Sequence, residues 1–124
     1  MAYSERLAQR VRNTLAGKNV VSVETKMMGG LCFMVDDKMC VGIDQDRQGD
    51  DRLMVRVDPD ASDALLTRPH VSPMDLTGRP MKGFLFVHAD GIAGTKQLAT
   101  WIQLALNFNP RAVSSKRGKS TARN

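Results

Sequence analysis

LCFMVDDKMCVGI, residues 31–43, sets two apolar runs of alternating character on either side of a polar pair, Asp36 and Asp37. That is the signature of a hairpin, and because side chains alternate along a strand its register decides which residues share a face. A two-residue turn puts Cys32 and Cys40 on opposite faces. A three-residue loop puts them on one face, diagonally related at roughly 7–8 Å. The second register is favoured because it gathers Leu31, Phe33, Val35, Met39, Val41 and Ile43 on one side. Neither register suits a disulfide, which needs closer Cα atoms, so both cysteines read as small buried or half-buried thiols.

Outward from the hairpin, Val20, Val21 and Val23 mark a strand before it, and LMVRV, Leu53 to Val57, marks one after it. Between the hairpin and LMVRV lies DQDRQGDDR, residues 44–52, an acidic stretch without an apolar anchor. A calcium loop of the EF-hand kind needs glycine at its sixth position and glutamate at its twelfth. Counted from Asp44 those positions hold Gly49 and Val55, so the stretch reads as a solvated hairpin loop. At the N-terminus, Ser4 caps a helix over about residues 4–16, with Leu7, Val11 and Leu15 repeating every four residues and Gly17 closing it. Asp58 before Pro59 starts a short helix running to about Thr67. FLFVH, Phe84 to His88, returns to a strand. Thr95 then caps a final helix striped by Leu98, Trp101, Ile102, Ala105 and Phe108 and ended by Pro110. The expectation is an α+β domain in the order α-β-β-β-β-α-β-α, with an antiparallel sheet of about five strands and flanking helices.

The chain has 124 residues, 42% hydrophobic and 25% charged, enough for one domain with a core of its own. No apolar run approaches the roughly 20 residues of a bilayer span, and MAYSERLAQR is charged where a secretory signal is apolar. A cytoplasmic protein without membrane contact is expected. The net charge is +5, but five cations, Arg111, Lys116, Arg117, Lys119 and Arg123, sit in residues 110–124 without an acidic residue. The remaining thirteen cations of residues 1–109 equal the thirteen acidic side chains. Residues 1–109 thus read as a formally neutral domain, and 110–124 as a basic, disordered tail or a salt-sensitive phosphate contact.

RPHVSPMDLTGRPMKG, residues 68–83, holds three prolines and two glycines and is too punctuated for a regular element. It is the longest loop, and loops of this length in small domains are functional or packed on themselves. Arg68, His70, Asp75, Arg79, Met81 and Lys82 make it the candidate binding surface. Thr77-Gly78 and Lys82-Gly83 can turn backbone N–H groups toward an anion beside two cations, yet the spacing is not that of a phosphate loop and it opens onto a strand. The other reading gives the glycines to turns and pairs Arg79 with an acid such as Asp75. His70 and His88 have no metal-site spacing, and Ser4, Ser22, Ser62 and Ser72 lack a nucleophile elbow. No catalytic residue, metal or cofactor is therefore assigned.

KMMGGLCFMV after a helix and a strand, LMVRVDP, then PMDLTGRPMKG before a strand and a terminal helix, resembles the N-terminal domain of the TfoX/Sxy family. Met28 stands where family members usually carry an aromatic residue. The resemblance covers roughly residues 1–109 and implies a bacterial cytoplasmic protein similar in fold to the secretion-chaperone-like class. It also implies kinship with regulators of natural competence, which carry a second, helical domain after this one.

Function is expected to be noncatalytic: a regulatory or adaptor domain working through contacts with a protein partner, a homodimer among the options. Six of the eight methionines, Met27, Met28, Met34, Met54, Met74 and Met81, suit irregular cores and adaptable contact surfaces alike. The alternative is a nucleic-acid accessory protein binding through the tail. A small-molecule or anion-binding enzyme using residues 68–83 comes third.

Overall fold

Ser4 opens helix α1, Glu5–Gly17, by accepting the Leu7 N–H on its hydroxyl at 3.2 Å. Leu7, Ala8, Val11 and Leu15 form its buried stripe. The computed structural model describes residues 3–27, 29–74 and 81–112. Strands β1 (Val23–Met27), β2 (Gly30–Val35), β3 (Lys38–Gln45) and β4 (Asp51–Arg56) follow as successive hairpins. A 3₁₀ turn at Pro59–Ala61, capped by the Asp58 carboxylate on the Asp60 N–H, leads into the single turn α2, Ser62–Leu65. Strand β5 (Val71–Pro73), strand β6 (Phe84–His88) and helix α3 (Thr95–Phe108) complete the chain. The antiparallel sheet runs β1-β2-β3-β4-β6-β5.

The α+β expectation holds, with six strands in place of five. The added strand is β5, a piece of the segment whose prolines argued against regular structure. Pro73 is tolerated there because β5 is the sheet's last strand and proline has no N–H to donate. Two smaller differences have local causes. The first strand starts at Val23, later than the valine run suggests, and α3 begins after Gly94, whose N–H donates to Gln97 Oε1 at 2.8 Å.

The central hairpin combines both registers weighed for it. Asp36 and Asp37 have φ of 53° and 65°, so the turn has two residues in the left-handed region, the twist that joins right-twisted strands. Val35 pairs with Lys38 and Met34 with Met39, but Phe33 pairs with Val41. One extra residue, Cys40, is therefore inserted opposite Phe33 as a β-bulge. Beyond it the three-residue register holds and Leu31, Phe33, Val41 and Ile43 face one way; Met39, expected with them, is turned to the other face. Cys32 and Cys40 accordingly lie on opposite faces.

On one face α1 and α3 close over Leu31, Phe33, Val41, Ile43, Leu53, Val55, Leu85 and Val87 to form the main core. The other face carries a smaller cluster of Cys32, Met39, Met54, Met74 and Phe86, edged by Met27, Met34 and Phe84. Gly42 makes room there: a Cβ at this position would meet Met54 Cε at 2.7 Å and Cys32 Sγ at 3.2 Å. After α3, Asn109 is buried and donates from Nδ2 to the Val35 carbonyl at 3.1 Å. Lys38 Nζ donates to the Asn109 and Pro110 carbonyls at 3.1 and 3.3 Å, a cation where helix carbonyls need partners. The end of α3 is thereby latched to the β2–β3 turn.

Two experiments test this packing. At Gly30 a Cβ would run into the Ile43 carbonyl oxygen, whereas Gly17 has open space around it. Gly30→Ala should lower unfolding stability in urea by roughly 3 kcal/mol, and Gly17→Ala should be neutral or stabilise by up to about 1 kcal/mol. Burial pushes the Cys32 thiol up to about 11 and Cys40 up to about 12. Neither forms thiolate at pH 8, so a thiol-reactive chromogen should titrate no cysteine in the native protein and two in urea. Because the raised values favour the neutral thiol in the folded state, both contributions to stability are complete below pH 9.0 and are lost as pH rises through about 11 to 12.

Candidate functional site

Residues 68–83 do not form one site among the described residues. Arg68 and His70 line a cleft of about 320 Å³ against the start of α3, with Lys96, Gln97 and Trp101 opposite. The Arg68 guanidinium sits 5.4 Å from the centre of the Trp101 ring, a cation over an aromatic face. His70 has φ of 67°, and Gly91 permits its approach: a Cβ on Gly91 would meet His70 Cβ at 3.1 Å. Met81 and Lys82 line a different groove of about 240 Å³ with Ser62, Asp63, Leu66 and Phe84. Here Gly83, at φ 87°, accepts the Val57 N–H at 2.8 Å on its carbonyl and ties the segment to the end of β4. Asp75 and Arg79 lie outside the described residues, as does Met28.

The second sheet face brings together polar residues that the sequence reading treated apart. Asp44, expected in a solvated loop, is the last inward residue of β3 and is buried. Arg52 from β4 holds its carboxylate with two nitrogens, at 3.0 and 2.8 Å, and lays its guanidinium 3.7 Å from the Phe86 ring centre. A buried carboxylate needs such a bidentate partner. The pairing of Asp44 with Arg52 across β3 and β4 follows from the strand register, which sequence spacing alone left undetermined. Ser72 and His88 also meet, Oγ to Nε2 at 2.8 Å, because β5 adds alongside β6. A serine–histidine pair becomes nucleophilic when a third group orients the imidazole through its other nitrogen. Among the described residues no carboxylate hydrogen-bonds His88 Nδ1.

Strand β1 is one of the two edges of the sheet, and among the described residues no strand pairs with its outer side. Its helix-side residue Glu24 receives two hydrogen bonds from the Arg12 guanidinium, at 2.6 and 2.8 Å, and Arg12 also reaches Glu5 at 2.6 Å. The Arg12 hydrogen bonds hold the Glu24 carboxyl below its ordinary range. Two carboxylates on one guanidinium leave this corner with a surplus negative charge. Val21 and Val23, 87% and 64% exposed, are the exposed large aliphatic side chains of the described residues.

Arg111, assigned to the tail, lies against the domain. It pairs with Asp58 at 3.0 Å and stacks 5.2 Å from the Phe108 ring centre, and Ala112 after it is buried. The Asp60 N–H, then Arg111, draw the Asp58 carboxyl below its ordinary range. Lys116, Arg117, Lys119 and Arg123 lie outside the described residues.

No helix of the described residues is long and apolar enough to cross a membrane. No curated relative matches the chain. The profile of the TfoX N-terminal domain matches residues 19–109, from just after α1 to the end of α3. That span takes in the whole antiparallel sheet, the bulged hairpin and the segment between β5 and β6, and the chain belongs to the TfoX N-terminal domain family.

Proposed function

We propose that this domain is a noncatalytic regulatory or adaptor module that works through protein–protein contacts at the free edge of its sheet. The observation that carries the reading is the exposure of Val21 and Val23 beside the outer edge of β1, with which no strand of the described residues pairs. An edge strand offers a row of backbone donors and acceptors to an incoming strand, and soluble proteins ordinarily blunt such edges. The opposite edge is blunted, since β5 has three residues and one is Pro73. Burying two valines contributes about 1.5–3 kcal/mol each at an interface, before the cost of association. Against a catalytic reading, Arg68 and His70 line one depression and Lys82 another. A role in transcriptional or competence regulation is the form this takes if the domain serves as its family's founding members do.

The test is a photo-crosslinking amino acid in place of Val21 in the full chain in cells, with one at exposed Gln9 on α1 as control. Protein adducts specific to position 21 are expected, and their absence sinks the reading. The tail alternative predicts binding to labelled duplex DNA that is lost at higher salt and on deletion of residues 113–124, which keeps Pro110, Arg111 and Ala112 against the domain. With residues 1–109 formally neutral and Arg111 paired to Asp58, residues 1–112 should give no anisotropy change at either of two salt concentrations. Binding by the truncated chain would overturn the assignment to protein contacts.

A further inference from the structure

The free edge of β1 is complementary to itself, and we infer that it pairs with β1 of a second copy of this chain, antiparallel about a two-fold axis at Thr25, to join two sheets into one. The inference rests on the edge being a protein-contact surface and adds the identity of the occupant.

VETKM, residues 23–27, laid antiparallel on itself about its central residue sets Glu24 against Lys26 of the mate and Lys26 against Glu24, while Thr25 meets its own copy. Val23 comes to lie opposite Met27. Strand alternation assigns these contacts to different faces. Glu24 and Lys26 pair with Phe33 and Leu31 of β2 and share the helix side, whereas Val23, Thr25 and Met27 pair with Met34, Cys32 and Gly30 on the other. The mate's lysine therefore arrives where Glu5 and Glu24 surround the single Arg12 and a positive charge is in deficit. Lys26 is exposed and, among the described residues, makes no ion pair. On the other face Met27 already packs against the Cys32 and Met54 cluster, so the mate's Val23 extends that cluster across the seam. Opposite charges directly across antiparallel strands stabilise and like charges destabilise, and a two-fold axis doubles either effect. A heterologous strand has no comparable reason to carry lysine and glutamate in this register.

The experiment uses the full chain in light scattering and sedimentation over a concentration series, with Lys26→Glu and Glu24→Lys. Each variant alone puts like charges across the seam, and the two mixed restore opposite ones. Lys26→Glu leaves the Arg12–Glu24 pair intact, so it separates pairing from folding, and circular dichroism checks both variants. The wild type should dimerise, each variant should weaken dimerisation by roughly tenfold or more, and the equimolar mixture should recover it. A wild type that stays monomeric, or a dimer indifferent to both substitutions, overturns the inference. Adducts at position 21 with other proteins from a monomeric chain would leave the protein-contact reading standing with a different occupant. Loss of both removes the two together.

Discussion

One inserted residue governs how this sheet presents its side chains. Strand side chains alternate with a period of two, and a tight two-residue turn at Asp36 and Asp37 would carry that alternation through the hairpin with Val41 and Ile43 on the wrong side of Leu31 and Phe33. The bulge at Cys40 absorbs the mismatch. It lets the turn take its low-strain geometry and still delivers five aliphatic and aromatic residues of β2 and β3 to the helices. Its by-product is Met39, which is sent to the far face and there completes the cluster with Cys32 and Met54.

The two faces then solve burial differently. Under the helices, branched aliphatics and Phe33 interlock across a two-layer core, where an unfilled methylene costs about 1 kcal/mol or more. Across the sheet no helix lies over Met54, Met74 and Phe86 among the described residues, yet all three are buried. Unbranched thioethers suit that position because they adapt to irregular neighbours, and Arg52 covers Phe86 while its charge is satisfied by Asp44. The same arginine thus serves packing and electrostatics at once.

The helices, most strands and their order were legible because their signals are local: Ser4 at a helix start, a four-residue apolar repeat, Asp58 before Pro59. What escaped was set by partners distant in sequence. Strand β5 exists because β6 offers it a ladder, and no local feature of VSP announces a strand. Asp44 looked like a loop acid until β4 brought Arg52 beside it. The candidate surface of residues 68–83 was a cluster along the chain, and the fold spreads it: Arg68 and His70 go to α3, Met81 and Lys82 to α2 and β6. Family membership was legible in the order of motifs, which a chain can keep while its chemistry stays silent.

The latch between the end of α3 and the β2–β3 turn joins positions more than seventy residues apart: Asn109 reaches Val35 and Lys38 reaches Asn109 and Pro110. During synthesis the hairpin is made early and its seal late. While a ribosome is still adding residues to the chain, the tip of that hairpin has neither its buried amide nor its capped helix end, and the face of Phe33 and Val41 lacks α3. Closure of the domain therefore waits for α3, and the nascent chain carries an open apolar sheet until that helix has left the exit tunnel.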